Sequence, residues 1–172
     1  MVDGLNRLIS SFRKIDLLAI PKMAFLPLVM PLLSISKNYF YQNGANGITV
    51  SADSRPEIWE NVFQNNGFAI NVAQNASPII VGNQISNNRS GIVVQANTSP
   101  ILRKNVIQSS KEDGLVIIDQ AIPDLGNSSE PGGNRFRNNS HYDINAKAAK
   151  QVIFAGGNNI CKNRIIHRQC RY

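Results

Sequence analysis

From residue 38 onward, apolar side chains come in short bursts of alternating pattern, each closed by Asn, Gly, Ser or Pro, and the bursts recur at a nearly fixed interval. An Asn followed two residues later by an apolar residue stands at Asn38/Phe40, Asn61/Phe63, Asn83/Ile85 and Asn105/Ile107, in steps of 23, 22 and 22 residues, and returns at Asn134/Phe136 and Asn158/Ile160 after 29 and 24. A second marker keeps phase with it: Pro56-Glu-Ile58, Pro78-Ile-Ile80, Pro100-Ile-Leu102 and Pro123-Asp-Leu125. Between them lie Ile48/Val50, Ile70/Val72, Ile92/Val94 and Leu115/Ile117, which alternate with period two. Each cycle therefore predicts three short strands, bounded by residues that turn a chain at low cost.

A 22-residue unit of three strands cannot bury its own apolar side chains and must stack on copies of itself. The predicted fold is all-β: a single-stranded right-handed parallel β-helix with three short strands per coil and an N-terminal helical or irregular cap. Coils about 4.8 Å apart bring like residues together. Three internal columns follow: Phe40, Phe63, Ile85 and Ile107; Ile58, Ile80, Leu102 and Leu125; Ile48, Ile70, Ile92 and Leu115. The recurrent Asn reads as a stacked amide column that hydrogen-bonds the backbone of a bend rather than as a ligand site.

The cycle N.[IF]…G[IV].V….SP.I..N is similar to the right-handed parallel β-helix repeats of pectin-lyase-like proteins. The segment IPDLGNSSEPGGNRFRNNSHYDINA, residues 122–146, resembles the end of a bacterial β-helix domain of unknown function found in cyanobacterial surface proteins. The resemblance covers about residues 35–146 and implies the solenoid. It carries no shared catalytic motif, and the chain is short beside typical members, as a fragment or a reduced homologue would be.

Residues 1–34 read as a cap or a signal-like segment. Leu5, Leu8, Ile9, Phe12, Ile15 and Leu18 fall at helical spacing, the stripe of an amphipathic helix suited to cover a first coil. The run from Met23 to Ile35 is apolar but broken by Pro27 and Pro31 and is too short to span a bilayer. A degenerate first coil and a signal or membrane-surface segment both fit it. Residues 35–146 form the β-helix proper, and residues 147–172 a basic C-terminal tail or terminal coil. The loop Gly126–Gly133 lengthens one coil and reads first as a plain surface connection, with a binding site as the alternative, since loops projecting from a solenoid are where binding functions tend to be placed.

Net charge changes the picture only at the ends. The chain carries +7 overall, yet residues 38–146 hold seven Lys/Arg against nine Asp/Glu, while residues 147–172 contribute Lys147, Lys150, Lys162, Arg164, Arg168 and Arg171 with no acid. That tail can attract an anionic surface, although no nucleic-acid motif accompanies it. Cys161 and Cys170 are the only cysteines, which excludes a disulfide framework; a single bridge between them requires an oxidising compartment.

β-Helices that cleave polysaccharides bring several acids together on one face. Here the residues three before each Pro are Asp53, Asn75, Asn97 and Gln120, a turn-capping pattern with acids too far apart to act as a pair. Glu112, Asp113, Asp119 and Asp124 are the densest acidic group and read first as a solvated corner. His141 and His167 are isolated, so no metal site is expected. With no phosphate loop, nucleophile elbow or redox motif, no cofactor is implied.

Aromatic residues offer the remaining chemistry. Tyr39 and Tyr41 flank inward Phe40 and face outward, as does Trp59 after inward Ile58. These three side chains, with Phe68 nearby, form a candidate sugar-stacking surface; packing beneath the N-terminal segment is the competing reading. The sequence thus points to a noncatalytic structural or carbohydrate-binding module, favoured in an exported or cell-surface setting, with polysaccharide as partner. A polysaccharide lyase or hydrolase, or a piece of one, is the alternative.

Overall fold

The computed structural model describes residues 33–161, together with the backbone of three two-residue strands, Phe12–Arg13, Ile165–Ile166 and Cys170–Arg171. The chain winds into a parallel β-helix with three sheets. The first sheet is built from Ser34–Ser36, Glu57–Trp59, Ile79–Val81 and Ile101–Arg103. Tyr39–Tyr41, Val62–Gln64, Gln84–Ser86, Val106–Gln108 and Arg135–Arg137 make the second. The third contains Asn46–Val50, Phe68–Val72, Ser90–Val94, Leu115–Asp119 and Ile144–Ala149. Every pairing is parallel and joins one coil to the next.

Register brings the three expected columns together. Phe40 pairs with Phe63, Phe63 with Ile85, Ile85 with Ile107 and Ile107 with Phe136. Ile58, Ile80 and Leu102 stack likewise, with Leu125 buried in the following coil, and Ile48, Ile70, Ile92 and Leu115 line the third sheet. Phe40 and Phe63 lie nearly parallel, their centroids 4.7 Å apart. Each fully buried Ile, Leu or Phe in these columns contributes about 1.5–3 kcal/mol. Because a coil has no interior of its own, that energy exists only between coils.

The corners follow one rule. Lys37, Glu60, Gly82, Lys104, Gly133 and Gly157 all have φ between 55° and 70°, and each immediately precedes an Asn of the first column. This left-handed residue turns the chain and aims the following Asn inward. Asn38 Nδ2 donates to Asn61 Oδ1 at 3.2 Å, and the pattern continues through Asn83, Asn105, Asn134 and Asn158 at 3.1, 3.0, 3.0 and 2.8 Å. The same Oδ1 atoms accept the backbone N–H of the preceding coil's Asn, so the ladder satisfies amide and main chain together.

A second ladder, not anticipated from the sequence, runs along the corner between the second and third sheets. Asn43 donates to Asn66 at 2.8 Å and Asn66 to Asn88 at 2.9 Å; Ser110 then takes the place of an Asn before Asn139 resumes the column. Gln42, Asn65, Asn87, Ser109 and Asn138 supply the left-handed residue ahead of each rung.

The expected N-terminal helix lies outside the described residues apart from Phe12–Arg13, whose backbone is strand and pairs in parallel with Ile35–Ser36. At the other end the winding continues past residue 146. Ile153–Phe154 is a strand, Asn158 is the last described rung of the first ladder, and Arg135 bridges to Asn159. The backbone of Ile165–Ile166 extends the third sheet, and that of Cys170–Arg171 pairs with Ile153–Phe154. No helix among the described residues is long and apolar enough to cross a membrane.

Candidate functional site

Alternation places Tyr39 and Tyr41 on the outer face of the second sheet, at the last described strand on its N-terminal side. Their rings stack on one another with centroids 5.5 Å apart and planes 15° from parallel. The Tyr39 hydroxyl donates to Gln64 Oε1 on the next coil at 2.6 Å, which fixes the pair against its neighbour. Tyr39 is exposed and Tyr41 half-buried.

Trp59 also faces outward, but from the first sheet, in register with Ser36 and Val81. Its indole N–H donates to Ser34 Oγ at 2.9 Å, and Lys37 Nζ lies 5.5 Å from the ring centroid. The corner formed by Glu60 and Asn61 separates it from the second sheet. The structure therefore joins the two tyrosines and sets the tryptophan on the adjoining face. Phe68, on the third sheet, is covered by the Arg89 guanidinium 5.0 Å above its ring. The N-terminal segment that would compete for the aromatic surface lies outside the described residues.

Each carboxylate of residues 112–124 has its own partners. Glu112 Oε2 sits 3.4 Å from Arg89 and accepts from Ser90 Oγ at 3.2 Å. Asp113 accepts from the Tyr142 N–H and from Asn145 Nδ2. Asp119 is 3.4 Å from Lys150. Asp124 meets Arg103 at 2.6 Å and accepts the Gly126 N–H at 2.9 Å. The bond from Arg103, helped by that of Gly126 and by the Arg103 charge, holds the Asp124 carboxyl below its ordinary range against the opposing effect of burial.

Asp143 is fully buried. Its Oδ1 accepts from Asn139 Nδ2 at 2.8 Å, and its Oδ2 accepts the Cys161 N–H at 3.1 Å. Along the third corner, Asp53 accepts from the Asn75 side-chain amide and Asn75 from that of Asn97. Among the described residues, no group of three His, Cys, Asp or Glu side chains is placed to hold a metal ion. Cys161 is exposed, whereas the side chains of Cys170 and His167 lie outside the described residues.

The sequence also gave no prominence to Phe154, which is 57% exposed, more than any other large hydrophobic residue among those described. Its position opposite the Gly126–Gly133 loop depends on how the coils stack after a 29-residue step, and no short motif records that.

Neither a curated protein nor a solved structure matches this chain. A family match covers residues 29–164, most of the sequence. The chain belongs to the family described as "Protein of unknown function (DUF1565)".

Proposed function

We propose that this protein is a noncatalytic β-helix module, a rigid spacer with a weak carbohydrate-binding surface at Tyr39, Tyr41 and Trp59. The separate engagement of Glu112, Asp113, Asp119 and Asp124 by different partners carries this reading. General acid and base work on a glycosidic bond needs two carboxyl groups about 5–9.5 Å apart across one space, whereas Glu112, Asp119 and Asp124 are held in ion pairs and Asp113 by the Tyr142 N–H and the Asn145 amide. The outward Tyr39–Tyr41 stack, anchored through Gln64, supplies an apolar surface with a polar edge of the kind that sugars engage. Basic residues of 147–172 add a salt-sensitive attraction to acidic polysaccharides.

Binding to a panel of neutral and acidic polysaccharides, with product release assayed in the same samples with and without calcium, tests the reading. Retention without new reducing ends or unsaturated products is the expected result, weakened in Tyr39→Ala and Trp59→Ala. Cleavage of any polymer in the panel would make the protein a lyase or hydrolase instead.

A further inference from the structure

Ile122, Pro123, Asp124, Asn127, Val152 and Phe154 line a groove of about 250 Å³ on the outer side of the last coils. This is below the range of about 300–1,000 Å³ typical of pockets that enclose a drug-sized ligand, so the groove has room for one ring rather than several. One wall belongs to the long loop; the other is the exposed Phe154 ring with Val152.

The loop wall is held by main-chain bonds. Gly156 N–H donates to Gly126 O at 3.0 Å, Gly132 N–H to Gly156 O at 3.0 Å, and Gly133 N–H to Gly157 O at 2.9 Å. Gly156 is needed for this contact, since a Cβ there would stand 2.8 Å from Asn127 Cα. Within the loop, Asn127 Oδ1 accepts from Ser129 N–H at 2.9 Å, Ser129 Oγ at 2.7 Å and Glu130 N–H at 2.9 Å. Three bonds to the oxygen fix the amide plane, and the Nδ2 donors have no partner among the described residues. Asp124 is oriented in its turn by Arg103, which bonds both its carboxylate and its backbone carbonyl, and by the Gly126 N–H.

We infer that this groove is a binding site for a single pyranose ring. The inference rests on the carbohydrate-binding reading and adds to it a site separate from the tyrosine pair. A sugar offers an apolar C–H face and a rim of hydroxyls. Phe154 and Val152 meet the face, while the Asn127 amide donates to one hydroxyl and the Asp124 carboxylate accepts from a neighbouring one. An aromatic ring beside two polar groups whose orientations are already fixed is the arrangement that recognises such a ligand without a large ordering cost.

Titration of the isotopically labelled full chain with methyl glycosides of glucose, galactose and mannose, followed by NMR, tests this directly. The expected result is saturable shifts at the Asn127 side-chain amide and the Phe154 ring. Affinity should fall about tenfold in Phe154→Ala and at least fivefold in Asn127→Asp, which keeps the loop's acceptor but removes the donor. Cyclohexanol, which shares the ring shape but lacks the set of hydroxyls, should shift these signals little. Equal response to cyclohexanol overturns the inference, as do shifts confined to Tyr39, Tyr41 and Trp59, and the latter outcome leaves the carbohydrate-binding reading standing. Silence at every position with all three glycosides overturns the groove; the polysaccharide panel then decides the broader reading.

Discussion

Asn139 Nδ2 donates to the carboxylate of Asp143 at 2.8 Å, so the last described rung of the second asparagine ladder is bonded to an acid. Asn43 and Asn66 each donate to the next rung toward the C-terminal end, whereas Asn88 donates to the Phe63 and Ser86 carbonyls. Asp143 accepts from Asn139 through one oxygen and holds the Cys161 N–H with the other. Replacing Asp143 with Asn would set an amide N–H₂ against one of those two donors. A loss of about 2–3 kcal/mol is expected, since bonds to a charged group contribute about 1.5–3 kcal/mol and a buried donor is left unpaired. Urea denaturation of Asp143→Asn against the parent chain measures it.

Ser110 interrupts the same ladder. Its buried hydroxyl has no hydrogen-bond partner, although its backbone N–H donates to Asn139 Oδ1 at 3.1 Å as an Asn in that position would. Ser110→Asn restores an acceptor for Asn88 and a side-chain donor for Asn139. It should raise stability by about 1 kcal/mol, the net value of a typical buried hydrogen bond. An unchanged or lower thermal midpoint would mean that the corner is too narrow for the larger side chain.

The left-handed corners lend themselves to a paired test. Ala96 has φ 61° without the freedom of glycine, and Gly82 has φ 65° with it. Left-handed backbone costs an L-residue about 1–2 kcal/mol, while glycine's greater freedom in the unfolded chain offsets about 0.4–1 kcal/mol of any gain. Ala96→Gly should therefore stabilise by up to about 1 kcal/mol. Gly82→Ala should destabilise by roughly 0.5–1 kcal/mol, because the nearest atom to its Cβ would be Glu60 Cγ at 3.8 Å and only the backbone angle opposes it. Thermal melts of both variants should move in opposite directions.

Asp124 makes stability depend on pH. Its folded pKa lies below the ordinary value of 3.8, so its contribution is present above that value and is lost as pH falls through the lower folded one. The carboxylate side chain is 48% exposed, and solvent screening limits the effect to less than about 1 kcal/mol. The difference in urea midpoint between the parent and Asp124→Asn should be constant from neutral pH down to about 5 and shrink as pH falls below the ordinary value of 3.8 and through the lower folded one. A difference that persists at the acid end would assign the effect to packing.

Strand positions and columns were legible because they depend on local rules. Alternation settles which of Tyr39, Phe40 and Tyr41 turns inward, and a constant step of 22 or 23 residues stacks Phe63 on Phe40. The second ladder shares that step, but Ser110 breaks it and adjacent pairs such as Asn65-Asn66 and Asn87-Asn88 obscure which residue is the rung. Only the corner geometry distinguishes them: the first of each pair takes the left-handed turn and the second points inward.

The aromatic surface shows the limit of the same reasoning. Period two correctly turned Tyr39, Tyr41 and Trp59 outward, yet it says nothing of the corner at Glu60 that puts Trp59 on another face. The acids likewise acquire their partners from neighbouring coils, as Asp124 does from Arg103 and Asp119 from Lys150.

The sequence by itself determined a parallel β-helix, its three internal columns and its principal asparagine ladder, because a repeat that cannot bury its own side chains has to stack in phase. Only the tertiary structure decided which face each outward residue shares, how each acid is neutralised, and that the long loop meets Phe154 across a groove. Those relations join residues on different coils or sheets, where the angle of a corner and the length of an insertion set the distance and no local pattern encodes it.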